Sequence, residues 1–482
     1  MLNMKKTFLL PVLAVLLSFS MVQSVFADSA SNFTYDNHYM NIQAPIAYEV
    51  EKVYYAADFE GMDSLSSLAS MYVTDDKVYI ATASAILVVD YDFNVVHILS
   101  EYETEDGDTD KISNPDGIFV KTDGTLYVCE PSNGRILVFD SDYQLIHNFG
   151  APEGLSLDVA YKPAKIVVDS LGRMYVIATN VYEGILELSA DNVYQRYFGT
   201  TTVSITPIQI LYRMIASEEQ LSRQSLILPT EYSSLAIDSN GFIYTPIQAT
   251  DEEEPVRLLN VNGDDILPED WKGDRPIGAV MIDETIGRSS LTYIDCNDYG
   301  MYMVVDSTYN QIFTYDESSN MLYVFGGTGD KDGCFRNLVS ARWLGDTGKV
   351  ICADKLNQSI TVMSPTNYGQ AIYNAVVSEY EGDRDTAVEY WQEALDMNAG
   401  LRIARDAIGR YLYWSGDYEA AMEQFEYIGR TDYYAKCFEK IREQIVRKNA
   451  PTFIACVAVV IVVIVVLRRI RRKRKEAKVY AA

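Results

Sequence analysis

Histidine is nearly missing from this 482-residue chain, which has three: His38, His97 and His147. The last two fall in the matching strings "NVVHILS" and "QLIHNFG". A place that recurs in successive repeats is a structural place, which speaks against a three-histidine zinc centre. Basic charge is short as well, with 40 Lys and Arg against 68 Asp and Glu and a formal net charge of −28. A quarter of that basic charge stands at the two ends, so the body is more acidic still and will not track a phosphate backbone; no nucleic-acid partner is expected. Cysteine is sparse: Cys129, Cys296, Cys334, Cys352, Cys437 and Cys456. Cys456 lies in an apolar run, and the odd set left over, in a chain too long to need staples, points to buried free thiols. GxSxG and HExxH are missing, and "GGTGDKDG" lacks the closing GK[ST] of a phosphate loop. No catalytic residue is assigned, although a site assembled from distant strands leaves no such motif.

What is present begins at the ends. Lys5 and Lys6 precede an apolar run, and Val25 and Ala27 stand just before Asp28, the pattern of a secretory signal peptide over 1–27. No Cys stands near that cleavage site to carry a lipid. Near the other end, 451–467 carries no charge and is followed by a cluster of Lys and Arg in 468–482. The run is just long enough to span a bilayer with the arginines snorkelling to the headgroups. Positive charge stays in the cytoplasm, so the expectation is a single-pass type I plasma-membrane protein with its bulk outside and a basic tail suited to anionic lipid.

Between the ends one pattern returns. "DDKVYI" at Tyr79, "DGTLYV" at Tyr127, "LGRMYV" at Tyr175, "NGFIYT" at Tyr244, "DYGMYM" at Tyr302 and "DTGKVI" at Val350 are separated by 48, 48, 69, 58 and 48 residues. A nearly fixed period with enlarged intervals is a repeat array with insertions. Within each unit short runs of Val, Ile, Tyr and Phe alternate with Gly, Asp and Asn turns, the chemistry of four-stranded antiparallel sheets that close radially and leave few bare edges. Six units predict an all-β six-bladed propeller over 48–365. The strand-like segment 48–59, "YEVEKVYYAADF", is expected to supply the outer strand of the last blade and latch the ring.

The units "NPDGIFVKTDGTLYVCEPSNGRILVFD", "YGMYMVVDSTYNQIFTYD" and "GKVICADKLNQSITVMS", with the run "FGGTGDKDGCF", resemble the NHL-repeat propeller family. The resemblance implies that an acid after the second strand and an Asn three or four residues on occupy the turn into the third. The matching pairs are Glu130 with Asn133, Asp306 with Asn310, and Asp354 with Asn357. Their recurrence blade after blade marks them as turn stabilisers and not as an active site. The fourth unit, with "ATDEEEPVRL", departs most from the family pattern.

From Ala371 the texture turns helical. Gly382 and Gly416 are 34 residues apart, and the same offset relates Ala387 to Ala421 and Trp391 to Phe425. That is the tetratricopeptide period, with small residues where helices touch and aromatics filling the gap. Ile408 and Gly409 match that family's Leu, Gly step, whereas Asn374 and Ala375 depart from it. Helical repeats are therefore expected over 369–449, acting either as a partner groove around Trp391 and Phe425 or as a stiff spacer.

The longest interval holds Ile208, Leu211, Tyr212, Ile215 and Leu221 at amphipathic-helix spacing, a helical insertion at about 204–226. Insertions in such arrays map to one face, where this one is either a candidate partner surface, Ile208, Leu211 and Tyr212 foremost, or a plug packed against the blades, which its apolar content favours slightly. In this order the parts resemble membrane-anchored NHL proteins of Gram-positive bacteria, which implies a surface binding or scaffold protein, a transporter accessory among the roles, with a protein, carbohydrate or peptide ligand. The 36 tyrosines suit sugar stacking but are also ordinary strand residues. The alternative is a calcium-dependent lactonase-like hydrolase working in the propeller channel. No cofactor is called for by the residues; the acidic runs "ETEDGDTD" and "GDKDG" keep calcium open, although Lys111 and Gly117 stand where a calcium loop needs Gly and Glu.

Overall fold

The computed structural model describes residues 32–156, 160–179, 181–200, 232–248, 255–270, 273–280 and 286–479. They fall into two compact units that divide between Ile403 and Ala404. In the first, six antiparallel sheets follow one another, each laid down in chain order save the outermost strand of the last. Their innermost strands are Met71–Val73, Ile118–Val120, Pro163–Val168, Ala236–Ile237, Leu291–Cys296 and Leu338–Trp343. Each touches the next, and the last returns to the first, so the sheets close into a six-bladed ring. Five blades have four strands; blade 4 has three among the described residues.

The ring is latched as the sequence predicts. Tyr48–Tyr54 pairs antiparallel with Ser359–Pro365, placing Tyr54 opposite Ile360 and Tyr48 opposite Pro365. A strand from before the first blade thereby completes the last one and covers the edge of Ser359–Pro365 that would otherwise be bare.

The core lies between blade faces. Val88, Leu99, Val128, Leu137 and Phe139 are buried between blades 1 and 2, and Tyr54, Phe59, Ile80, Leu87 and Ile351 between blades 6 and 1. Alternating strand residues supply these layers, each full burial of a large apolar side chain contributing roughly 1.5–3 kcal/mol. The turns between third and fourth strands repeat one device. Asp90, Asp140 and Asp316 each accept two backbone N–H bonds, from residues two and four places on. This allows Phe93, Tyr143 and Ser319 to sit at φ of 64°, 60° and 61°. Gly117, in the "PDG" that opens blade 2, answers to a different demand: a Cβ there would collide with the Ala164 carbonyl of blade 3.

One element has no counterpart in the repeat pattern. Phe33–Tyr35 and Asn41–Gln43 form a hairpin ahead of the latch. Phe33 meets Phe313 edge to face at 6.1 Å, and the Tyr35 hydroxyl donates to the Gly278 carbonyl at 2.7 Å, so the hairpin joins the core between blades 4 and 5.

After the last blade the chain enters α1 (Asn367–Tyr380), capped by Thr366, whose hydroxyl accepts from the Gly369 N–H. It packs against α2 (Arg384–Met397), capped by Asp383, and its Tyr373 and Tyr380 meet Tyr299 of blade 5 edge to face. Next come α3 (Arg402–Ser415), α4 (Tyr418–Tyr427) and α5 (Thr431–Val479). In the second unit Phe425 of α4 lies so close to Gly409 of α3 that a Cβ on the glycine would stand 2.8 Å from its ring. The apolar part of α5 has a mean hydropathy of 3.1 and is long and apolar enough to cross a membrane.

Candidate functional site

Glu130, Asp306 and Asp354 end the second strands of blades 2, 5 and 6 and are fully or almost fully buried. Glu130 accepts from the Ser113 N–H at 2.7 Å, from Asn133 Nδ2 at 2.8 Å and from Arg135 Nε at 2.7 Å. Asp354 accepts from the Arg336 and Asn337 N–H groups and from Asn357 Nδ2. Asp306 accepts from the Ser290 and Thr308 N–H groups and from the Ser289 hydroxyl. In each case one carboxylate ties its own blade's turn to the segment entering that blade. Asn310 differs from the other two amides. Its Oδ1 accepts from the Leu338 N–H of blade 6 and its Nδ2 donates to Thr328, not to Asp306. Its true equivalents are Gly134 and Gln358, all three being left-handed, and Tyr309 stands where Asn133 and Asn357 do.

The channel was not visible in the motifs. Tyr293 reaches from blade 5 to the Met71 carbonyl of blade 1 at 3.1 Å, past blade 6. Arg342 of blade 6 donates from Nε to the Tyr293 hydroxyl at 2.9 Å, and its Nη1 lies 3.1 Å from Asp295 Oδ1. The guanidinium stacks over Tyr72, 4.4 Å from the ring centroid. Asp295 also accepts from the Trp343 N–H at 3.1 Å. These groups line one side of the channel, and a cup lies toward each end of the innermost strands.

The first cup, about 380 Å³, has Arg342, Asp295, Tyr72 and Phe119 on its strand walls and Asp75, Asp298 and Asp346 in the turns at its mouth. Asp75, Asp298 and Asp346 are exposed. Burial pushes the Asp295 carboxyl up while Arg342 pulls it back. Burial and the neighbouring Asp295 push the Cys296 thiol well up, which works against thiolate character. The second cup, about 260 Å³, holds Lys165, Asp116, Ser233 and Thr292. Lys165 Nζ lies 2.6 Å from Asp116, which keeps the lysine charged against the cost of burial. The signal for both cups was a charge inside an innermost strand, Asp295 and Arg342 for the first and Lys165 for the second. "TYIDC" and "SARW" carry Asp295 and Arg342, whereas "MYV" and "IFV" in blades 1 and 2 are uncharged.

The other residues singled out in the sequence lie elsewhere. Asp110 of the acidic run is taken by Arg135 at 2.8 Å and by the Tyr102 hydroxyl at 2.9 Å, and Asp330 by Arg336 at 2.5 Å. Among the described residues no group of three or more His, Cys, Asp or Glu is placed to hold a metal ion. His97 and His147 lie on the outermost strands of blades 1 and 2, stacked on Tyr143 and Phe149. Trp391 and Phe425 are fully buried, which corrects their assignment to a partner surface: they fill the space between helices. Ile208, Leu211 and Tyr212, with the whole insertion at 204–226, and the segment 1–27 lie outside the described residues.

No family model and no curated protein matches the chain. Among solved structures, virginiamycin B lyase from Staphylococcus aureus is similar at 12% identity, covering 65% of this chain and 87% of that one with a TM-score of 0.36. A streptogramin B lyase gives 12% identity, 67% and 100% coverage and 0.39. The β-propeller domain of Cps50 (Swd1) from Myceliophteria thermophila gives 7%, 66% and 100%, and 0.40. Likeness at this level says nothing of ligand or reaction, and the propeller rests on the closed ring of strands.

Proposed function

We propose that the chain is a membrane-anchored binding or scaffold protein of the NHL-propeller kind. The propeller lies outside the cell and recognises a ligand or a protein partner. Tetratricopeptide-like helices dock a partner near the bilayer, and the basic tail meets anionic lipid on the inner leaflet. A transporter is one such partner. One observation carries the recognition role: Tyr72, Asp295 and Arg342, from the innermost strands of blades 1, 5 and 6, meet in the wall of a cup of about 380 Å³ in the channel. A carboxylate of each cup, Asp295 in the first and Asp116 in the second, is paired with a cation. A calcium-dependent hydrolase needs instead several oxygens converging on one point at about 2.3–2.6 Å.

The test is thermal unfolding of the full-length protein in nanodiscs against calcium with and without EGTA, then against sugars and peptides. Stabilisation by an organic ligand without a calcium response supports recognition. A calcium shift of several degrees that EGTA reverses would transfer the assignment to the hydrolase.

A further inference from the structure

The first cup is electrically graded. On its strand wall Arg342 is 12% exposed and uses Nε and Nη1 on Tyr293 and Asp295; among the described residues nothing bonds Nη2. At its mouth Asp75, Asp298 and Asp346 come from the turns that follow the innermost strands of blades 1, 5 and 6. Asp75 and Asp298 make no hydrogen bond or ion pair with a described residue, and Tyr299 stands beside Asp346 and Asp298, which add to burial in pushing its phenol up. The tyrosines Tyr91 and Tyr299 stand among these carboxylates, which raise both phenols beyond what burial does.

From this arrangement we propose that the cup binds a basic amino acid, its carboxylate on Arg342 and its ammonium groups among Asp75, Asp298 and Asp346. Three features select that chemistry. The formal charge of the mouth, on a chain of net charge −28, repels a simple anion, so the ligand brings positive charge. The spare guanidinium edge asks for an acceptor, and a carboxylate is its strongest partner. The three rim carboxylates are not placed to share one metal ion, so they suit a ligand whose positive charges are spread along a chain. The same chemistry is found in free lysine and in a peptide ending in lysine.

The proposal rests on the propeller being a recognition module, and its test separates the two. Thermal unfolding of the full-length protein in nanodiscs is followed with L-lysine, glycyl-lysine, cadaverine and hexanoate at millimolar concentration. Cadaverine is lysine without its carboxylate, and hexanoate lacks both ammonium groups. The expected result is a rise in Tm of a few degrees with lysine, a smaller one with cadaverine and none with hexanoate. A response to glycyl-lysine equal to that of lysine assigns the cup to peptide C-termini; a weaker one assigns it to the free amino acid. In Arg342→Gln the lysine response falls to that of cadaverine. Since that variant also loses a buried pair, Asp75→Asn with Asp298→Asn gives an independent reading, because both residues are exposed; there the lysine and cadaverine responses fall at least twofold. Equal responses to lysine and cadaverine in the parent protein, or a lysine response untouched by the rim changes, overturn the proposal. If a sugar or another peptide stabilises the protein and the rim changes leave that response intact, the recognition module stands and this ligand falls.

Discussion

Two sets of buried carboxylates in one propeller do opposite things. Glu130, Asp306 and Asp354 hold the same place in three blades, and each accepts backbone N–H groups of the segment entering its blade. Asp295 sits in the channel wall, has no equivalent in the other innermost strands, and meets a guanidinium from the next blade. In a repeat protein, a polar group that recurs belongs to the scaffold, because every blade has the same turn to stabilise. A polar group that appears once is not required by the fold. It marks the place where this propeller departs from a generic one.

The comparison breaks most visibly at Glu130. Glu130→Ala leaves Arg135 Nε, the Asn133 amide and the Ser113 N–H without their buried acceptor, and denaturant unfolding is expected to show a loss of about 3–5 kcal/mol. Arg342→Met strands the Asp295 carboxylate and should cost about 3 kcal/mol. The double variant Arg342→Met, Asp295→Leu should regain most of that, because the pair belongs to no repeated turn; a double variant as unstable as the single one would make Asp295 scaffold too.

Asp316 offers a pH test. Loss of water raises its carboxyl to about 6, against the bonds from Asn320 that favour the ionised form. Between the ordinary carboxylate range and pH 6 the folded state therefore holds a proton that the unfolded chain has released. This contribution to stability is present at acid pH and is lost as pH rises through 6. Asp316→Asn keeps an acceptor for the Ser318 and Asn320 N–H groups, so its stability should vary less between pH 4 and 6.5 than that of the parent protein; equal slopes in the two would show that Asp316 does not titrate there. The smallest effect is expected at the rim. Asp75→Asn should change stability by less than about 0.5 kcal/mol, since the side chain is exposed and makes no hydrogen bond or ion pair with a described residue.

Much of the architecture was legible because repetition multiplies a weak signal. One "DGTLYV" is an ambiguous strand, but six such blocks at related spacing leave few folds, and the strand-like segment at 48–59 was the spare piece needed to close the ring. The helical register was legible too, although it led to a wrong role. Trp391 and Phe425 sit at matched positions because both fill the gap between helices, so they are buried and not on offer to a partner. The mismatch at Asn310 has a similar origin: spacing of three or four residues cannot distinguish the amide that bonds its own turn from the left-handed residue that reaches the next blade.

By itself the sequence determined the class of fold, the number of blades, the latch and the apolar run of α5. These follow from periods of polarity and from turn residues, which are local properties of the chain. Only the tertiary structure decided that Tyr293, Arg342, Asp295 and Tyr72 meet, and that the cup beside them has an acidic mouth. Those residues are up to 270 positions apart, and their meeting depends on the ring closing, which places the innermost strands of the first and last blades side by side.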